Sequence, residues 1–351
     1  MLVMETTKRV LGEEHPRSLV IMGNLALTYG NQARWKEAEE LEVLVMETRK
    51  RVLGEEHPDS LLTMGNLSST YRNQGRWKEA EELQVLVLET TKRVLGKEHP
   101  DSLRSMNNLA TTYDNQGRWK EAEELYLLVM ETRKRVVGKE HPDSVAGMNN
   151  LALTYQKQGR WTEAEELQVL LMETTKQVLG EEHPDSLAIM GNLAYTYQNQ
   201  GRWKEAEELE VLVMGTRKRV LGEEHPASLT SMGNLASTYQ KQDRWKEAEK
   251  LQVLEMETRK RVLGEEHPDS LISIGNLAYT YTYQGLLEEA EELQVLVMET
   301  TRRVLGEEHP NSLVSMGNLA LTYRNQGRCK EADALTAHVI ETRKRVSGKE
   351  G

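Results

Sequence analysis

Eight asparagines, Asn24, Asn66, Asn108, Asn150, Asn192, Asn234, Asn276 and Asn318, stand 42 residues apart. A carboxamide carries a donor and an acceptor on one planar group. It can satisfy both the N–H and the C=O of a peptide unit, whatever side chain that unit bears. Repeated at a fixed interval, such residues would form a ladder for an extended backbone. The plainer alternative is that each asparagine bonds a neighbouring helix for structural reasons. Eight histidines share the interval: His15, His57, His99, His141, His183, His225, His267 and His309, each followed by proline. A metal needs several ligands converging on one point, and one histidine per interval with no second ligand nearby does not supply them. Cys329 and His338 are nine residues apart on one expected helix and point in roughly opposite directions, so they form no dyad. The sequence has no glycine-rich phosphate loop and no nucleophile–histidine–carboxylate set. It therefore reads as neither an enzyme nor a cofactor or metal protein.

The elements that must position the asparagines follow from the interval. The stretch from His57 to Glu98 recurs eight times without insertion, and its His-Pro pairs use all 8 prolines. A strict period of this length marks a repeat array, in which each unit contacts only its neighbours. The expected organisation is a partial unit over 1–14, then repeats over 15–56, 57–98, 99–140, 141–182, 183–224, 225–266, 267–308 and 309–351. Within one unit, Gly96 ends a helix and Lys92 and Arg93 occupy its last turn, where cations meet the negative end of the helix dipole. Pro58 suits the first position of the next helix, where its missing N–H costs nothing. The His-Pro pair thus reads as capping.

Helix A is expected from Pro58 to about Gln74, with Leu61, Met64, Leu67, Ser68 and Tyr71 on one side. Gly75-Arg76 makes the turn; Ala33 and Asp243 stand for that glycine in two units, so glycine does not look obligatory there. Helix B is expected from Trp77 to about Leu95, with Trp77, Ala80, Leu83, Leu86, Val87 and Val94 recurring at helical spacing. Lys78, Glu79, Glu81 and Glu82 read as a solvated face. No strand pattern occurs. The chain is predicted to be all-α, an α-solenoid of stacked antiparallel helix pairs.

The pattern Leu67…Tyr71…Gly75-x-Trp77-x-x-Ala80 resembles the tetratricopeptide repeat. The 42-residue spacing, with Asn-Leu-Ala, Gln-Gly-Arg-Trp, Glu-Ala-Glu and Val-Leu-Gly-x-x-His-Pro, is similar to the longer subtype of kinesin light chains and of fungal repeat proteins. The resemblance covers essentially the whole chain. It implies a right-handed superhelix whose concave groove is lined by helix A, and an asparagine in each repeat that holds the backbone of an extended peptide. One departure stands out. The family usually has a bulky residue after Leu83, whereas here that place reads Glu42, Gln84, Tyr126, Gln168, Glu210, Gln252, Gln294 and Thr336. The expectation is that helix B packs through Val85 or Leu86 instead.

The units differ most in helix A at Leu62, Ser69, Arg72 and Asn73 and their counterparts. With Leu62 at zero and about 100° per residue, Asn66 lies near 40°, Ser69 near −20° and Asn73 near 20°, opposite the packing residues. Unvarying Asn66 thus lies inside a varied stripe. That stripe offers Val20 and Leu27, Leu62 and Ser69, Arg104 and Thr111, Leu153 and Lys157, then Tyr195, Lys241, Tyr279 and Tyr283 with Ile272, and finally Val314, Leu321 and Arg324. With the eight asparagines, Leu27, Arg104, Leu153, Lys157, Tyr195, Lys241, Tyr279 and Tyr283 are the candidate peptide-binding residues. The stripe looks mildly basic and partly apolar, suited to a ligand with apolar side chains and some negative charge. Neutral drift on an exposed face is the competing account.

A net charge of −11 argues against nucleic acid as partner. No apolar run approaches the ~20 residues of a membrane span, so neither a membrane nor a secretory context is expected, and the chain reads as cytoplasmic. Cys329 is the only cysteine and replaces a tryptophan, which suggests a packed thiol. Gly215, mid-helix, should cost ~1 kcal/mol, and Leu286-Leu287 should loosen the turn of repeat seven. The half-repeat before His15 has no helix A partner, leaving Val3 and Val10 for self-association. The favoured function is a protein-interaction scaffold that binds a protein or peptide ligand, as the sensor or adaptor region of a larger signalling protein. A kinesin-light-chain-like cargo adaptor and a structural or self-associating array remain beside it.

Overall fold

The computed structural model describes residues 2–32, 34–136, 138 and 142–347. His141 and Ala33 lie outside them. Among the described residues every regular element is a helix. The chain forms two compact units, Met1–Val178 and Leu179–Gly351. The first carries α1 (Leu2–Leu11), α2 (Pro16–Asn31), α3 (Trp35–Leu53), α4 (Pro58–Asn73), α5 (Trp77–Leu95), α6 (Pro100–Asn115), α7 (Trp119–Val136), α8 (Pro142–Lys157) and nearly all of α9 (Trp161–Leu179). The second carries α10 (Pro184–Asn199), α11 (Trp203–Leu221), α12 (Pro226–Lys241), α13 (Trp245–Leu263), α14 (Pro268–Gln284), α15 (Leu287–Leu305), α16 (Pro310–Asn325) and α17 (Cys329–Ser347). Within each unit successive helices pack on one another. The fold is an all-α solenoid of helix pairs whose layout repeats about every 42 residues.

The helix ends follow the chemistry of the His-Pro pair. His57 Nδ1 accepts a hydrogen bond from the Asp59 N–H at 3.1 Å, so the imidazole is the N-cap and Pro58 the first helical residue. His15, His99, His183, His225, His267 and His309 do the same. Unvarying Ser60 ties the loop down: its Oγ donates to the Gly54 carbonyl at 2.8 Å. The turn between the two helices needs a left-handed residue, with Gly75 at φ 78°. Asp243 adopts φ 58° in the same place and is the only non-glycine with positive φ among the described residues. The turn therefore does demand this conformation, and the aspartate bears its strain.

The core is a seam of helix A residues such as Leu61, Met64 and Leu67 against helix B residues such as Ala80 and Val87. Two expectations for helix B fail. Val85 and Leu86 are exposed, and so is Val94. The buried residue is Gln84, whose Nε2 donates to the Ser105 carbonyl at 3.2 Å. This place faces the next helix A, and burying its polar end there requires a partner, which the carbonyl supplies; Tyr126 fills the same place in repeat three and is also buried. The acidic face is not merely solvated either. Glu39 accepts from Gln74 Nε2 at 2.8 Å and from Arg76 Nη1 at 2.6 Å, linking neighbouring repeats. Glu81, Glu207 and Glu291 repeat the arrangement.

The odd positions resolve individually. Cys329 is exposed, because the first residue of helix B lies at the rim of the seam and even Trp119 is exposed there. The Leu286 turn keeps its geometry: the Leu286 N–H donates to the Tyr281 carbonyl at 2.9 Å, as Arg244 does to Tyr239. It loses only the guanidinium contacts. Val3 and Val10 on α1 are exposed.

Candidate functional site

Helix A presents its varied stripe away from the core. Val20, Leu27, Leu62, Tyr195, Ile272, Tyr279, Tyr283, Val314 and Leu321 are all exposed, while Leu153 is half-buried. The asparagines lie among them. Asn24, Asn234, Asn276 and Asn318 are exposed, and Asn66, Asn108, Asn150 and Asn192 are half-buried. Asn150 Nδ2 lies 3.4 Å from Asn107 Oδ1, and Asn192 also has a partner. Among the described residues, the carboxamides of Asn24, Asn66, Asn108, Asn234, Asn276 and Asn318 make no hydrogen bond of their own.

Each unit holds a pocket on this face. In the first, about 140 Å³ lie between α4 and α6 over α5. Leu62, Asn66 and Ser69 form one wall, Arg104 and Asn108 the other, and Thr91 the floor. In the second, about 310 Å³ lie between α14 and α16 over α15. Ile272, Asn276 and Tyr279 form one wall, Val314 and Asn318 the other, with Val297, Thr301 and Val304 below. Each pocket therefore joins two successive asparagines. Beside the larger one, Tyr283 stacks on Trp245 with ring centroids 5.0 Å apart and meets Tyr279 at 4.6 Å. The neighbouring Tyr283 hydroxyl, and partial burial after it, push the Tyr279 hydroxyl up to about 12.

The stripe is less basic than its composition suggests. Arg104 pairs with Asp101 at 2.5 Å, Lys157 pairs with Asp114, and Arg324 pairs with Asp333 at 3.0 Å. Lys241 is exposed and makes no ion pair among the described residues. Asp101 and Asp333 come from outside the stripe and Asp114 from its border, at the place of Arg72 and Arg324, so its basic appearance is largely cancelled. The expectation of a negatively charged ligand loses its support, and the apolar component keeps it. The pocket floor from helix B was not expected. Its signal in the sequence is the place that reads threonine at Thr91 and Thr301 but arginine at Arg49 and Arg217.

No helix among the described residues is long and apolar enough to cross a membrane, and none of their His, Cys, Asp and Glu residues cluster as a metal site.

The Tetratricopeptide repeat family matches residues 59–135, 109–168, 143–211 and 269–345, and a second Tetratricopeptide repeat family matches 18–59 and 228–269. Among curated proteins none matches this sequence. A crystal structure from Podosopora anserina, described as a kinesin light chain with nearly identical TPR-like repeats, is 32% identical, with a TM-score of 0.55. The match covers 59% of this chain and 98% of that one. The quorum sensor NprR from B. thuringiensis shares the fold at 15% identity and a TM-score of 0.66, over 97% of this chain and 91% of that one. A Signal Transduction ATPase with Numerous Domains from Pyrococcus horikoshii, with a tetratricopeptide repeat sensor, does so at 13% and 0.61, over 95% of this chain and 50% of that one. With family matches over most of its length and kinesin-light-chain-like structural relatives, the chain belongs to the tetratricopeptide repeat family.

Proposed function

We propose that this chain is a protein-interaction scaffold that holds an extended peptide segment along the helix A face of each unit, with the asparagines as rungs. The observation that carries this reading is the state of the carboxamides. Serine, glutamine and glutamate at other unvarying or nearly unvarying places are occupied by loop and inter-repeat bonds. Six of the eight asparagines have no such occupation among the described residues, and four of these line the two pockets. An unbonded donor–acceptor pair beside an apolar pocket is what recognition of a peptide unit and its side chain requires. An enzymatic role is not proposed.

The test compares capture from a cell extract by the chain and by a variant with Ala at Asn66, Asn108, Asn276 and Asn318. The expected result is partners held only by the unchanged chain, with equal helicity and equal melting temperature. Identical captures would sink the reading, and a large loss of stability would make the asparagines structural. The likeness to a kinesin light chain supports a second reading, in which the captured partner is cargo of a transport complex.

A further inference from the structure

One place on helix B alternates between two chemically different residues. It reads Arg49, Thr91, Arg133, Thr175, Arg217, Arg259, Thr301 and Arg343 in repeats one to eight. The two pockets lie over Thr91 and Thr301. At Arg49 and Arg217 the guanidinium reaches the same wall of the next helix A that bounds the pockets. Arg49 Nη1 donates to the Asp59 carbonyl at 3.1 Å and to Thr63 Oγ1 at 2.7 Å. Arg217 Nη1 donates to the Ala227 carbonyl at 3.3 Å and to Ser231 Oγ at 2.9 Å. In the larger pocket the corresponding wall is Asn311 and Ser315, and Thr301 Oγ1 lies only 3.0 Å from Ser315 Oγ. The short threonine satisfies the serine and leaves the volume open. The long arginine satisfies its partners at that wall, and to reach them its stem would have to cross the equivalent volume.

Resting on the peptide-groove reading, we propose that this helix B residue gates the side-chain pockets, and that the pocket over Thr301 takes one uncharged aliphatic side chain of the bound peptide. The charge around it fits that occupant. The apolar part of the lining includes Leu271, Ile272, Val297, Val304 and Val314, and its one carboxylate, Glu266, is paired with Arg303 at 2.8 Å. A charged side chain entering this wall would be desolvated without a partner. Asn276 and Asn318 flank the pocket, so the backbone on either side of the inserted residue meets a carboxamide.

The probes are N-acetyl-leucinamide and N-acetyl-lysinamide, each a single peptide unit with one side chain, titrated while the methyl resonances of Val297, Val304 and Val314 are followed. The leucine probe is expected to shift these resonances, and the lysine probe to bind about tenfold more weakly, the worth of roughly 1.4 kcal/mol. Thr301→Arg should abolish the leucine shifts. Arg217→Thr should create new ones at Val213 and Val220, which occupy the equivalent places in repeat five. Thr301→Val, which keeps the space, should retain binding and guards against misreading a variant that fails to fold. Leucine binding unchanged in Thr301→Arg, equal binding of both probes, or no shifts in the unchanged chain would overturn the proposal. Loss in Thr301→Arg with full binding in an Asn276→Ala, Asn318→Ala variant would keep the gate and refute the asparagine ladder.

Discussion

Arg76 reaches back to Glu39 of the preceding repeat at 2.6 Å, while its guanidinium lies 4.1 Å from the centroid of its own Tyr71 ring. The same residue also pairs with Glu79 at 3.0 Å. One side chain thus links two repeats, covers a half-buried tyrosine and anchors the first turn of helix B. The motif recurs with Arg118, Arg244 and Arg328, each over its tyrosine and bonded to the glutamate one repeat back.

These arginines are about a third exposed, so each ion pair contributes only ~0.2–1 kcal/mol and each ring contact ~0.5–1 kcal/mol. Arg244→Met, which keeps much of the stem, should lower stability by about 1 kcal/mol in a urea titration, and added salt should shrink the difference. The glutamate place is unvarying except for one aspartate, and helical spacing had made it look like an ordinary solvated face. A loss below the measurement error would show that the motif is decorative.

Repeat seven offers the reverse experiment. Leu286 holds the same backbone geometry without the guanidinium, and Tyr281 has no cation over it among the described residues. Glu249 still accepts from Gln284 Nε2 at 2.9 Å, so the acceptor for a guanidinium is already in place. Leu286→Arg should raise the stability of the second unit by about 0.5–1 kcal/mol. No change in the urea midpoint would mean that leucine packing at that corner offsets the missing charge.

How much of this was legible beforehand depends on the range of the interaction. Pro58, Trp77 and Gly96 punctuate the chain locally, and the helices begin and end within a residue of where those signals put them. The direction of the varied stripe was also legible, since Leu62 and Tyr195 face solvent as the helical wheel requires. What failed was everything decided by the next repeat. Gln84 looked like a surface residue because its partner, the Ser105 carbonyl, is 21 residues away. Lys157 looked like a free cation because Asp114 sits one repeat earlier on the neighbouring helix. Periodicity reveals which face of a helix is varied, but not which groups on the adjacent helix neutralise it.

Asp243 carries a backbone strain that its counterparts avoid. At φ 58° an L-residue crowds its Cβ against the following carbonyl, and aspartate tolerates this better than most. Glycine occupies the same turn at φ 78° in repeat two and φ 76° in repeat three. Asp243→Gly should therefore stabilise the second unit by up to about 1 kcal/mol, less whatever flexibility it adds to the unfolded chain. The melting temperature should rise. A fall would mean that the aspartate side chain makes a compensating interaction in solution.

Glu210 supplies a pH dependence with a built-in control. Its carboxyl is buried between α11 and α12, accepting from Thr238 Oγ1 at 2.5 Å and from Gln198 Nε2 at 2.9 Å. Burial pushes it up to about 7, against the help of those two hydrogen bonds and with a small push from Glu207. Because the folded value lies above the unfolded one, the folded chain binds this proton more tightly. The stabilising contribution is fully present below about pH 4.5 and is lost as the pH rises through 7. Repeat six has Gln252 at the same place, with the same bond to Thr280 at 2.5 Å. Glu210→Gln should therefore match the unchanged chain near pH 4 and exceed it at pH 8. The expected gap is about 3 kcal/mol, since the carboxyl is raised from the ordinary 4.5 to about 7 and each tenfold difference in proton affinity between folded and unfolded chain is worth ~1.4 kcal/mol. Glu42→Gln should behave alike in the first unit, since Glu42 is also pushed up to about 7 by burial. Parallel stability curves for the glutamate and glutamine forms across this range would show that the carboxylates are hydrated rather than buried, and that the α11–α12 seam is looser than the geometry indicates.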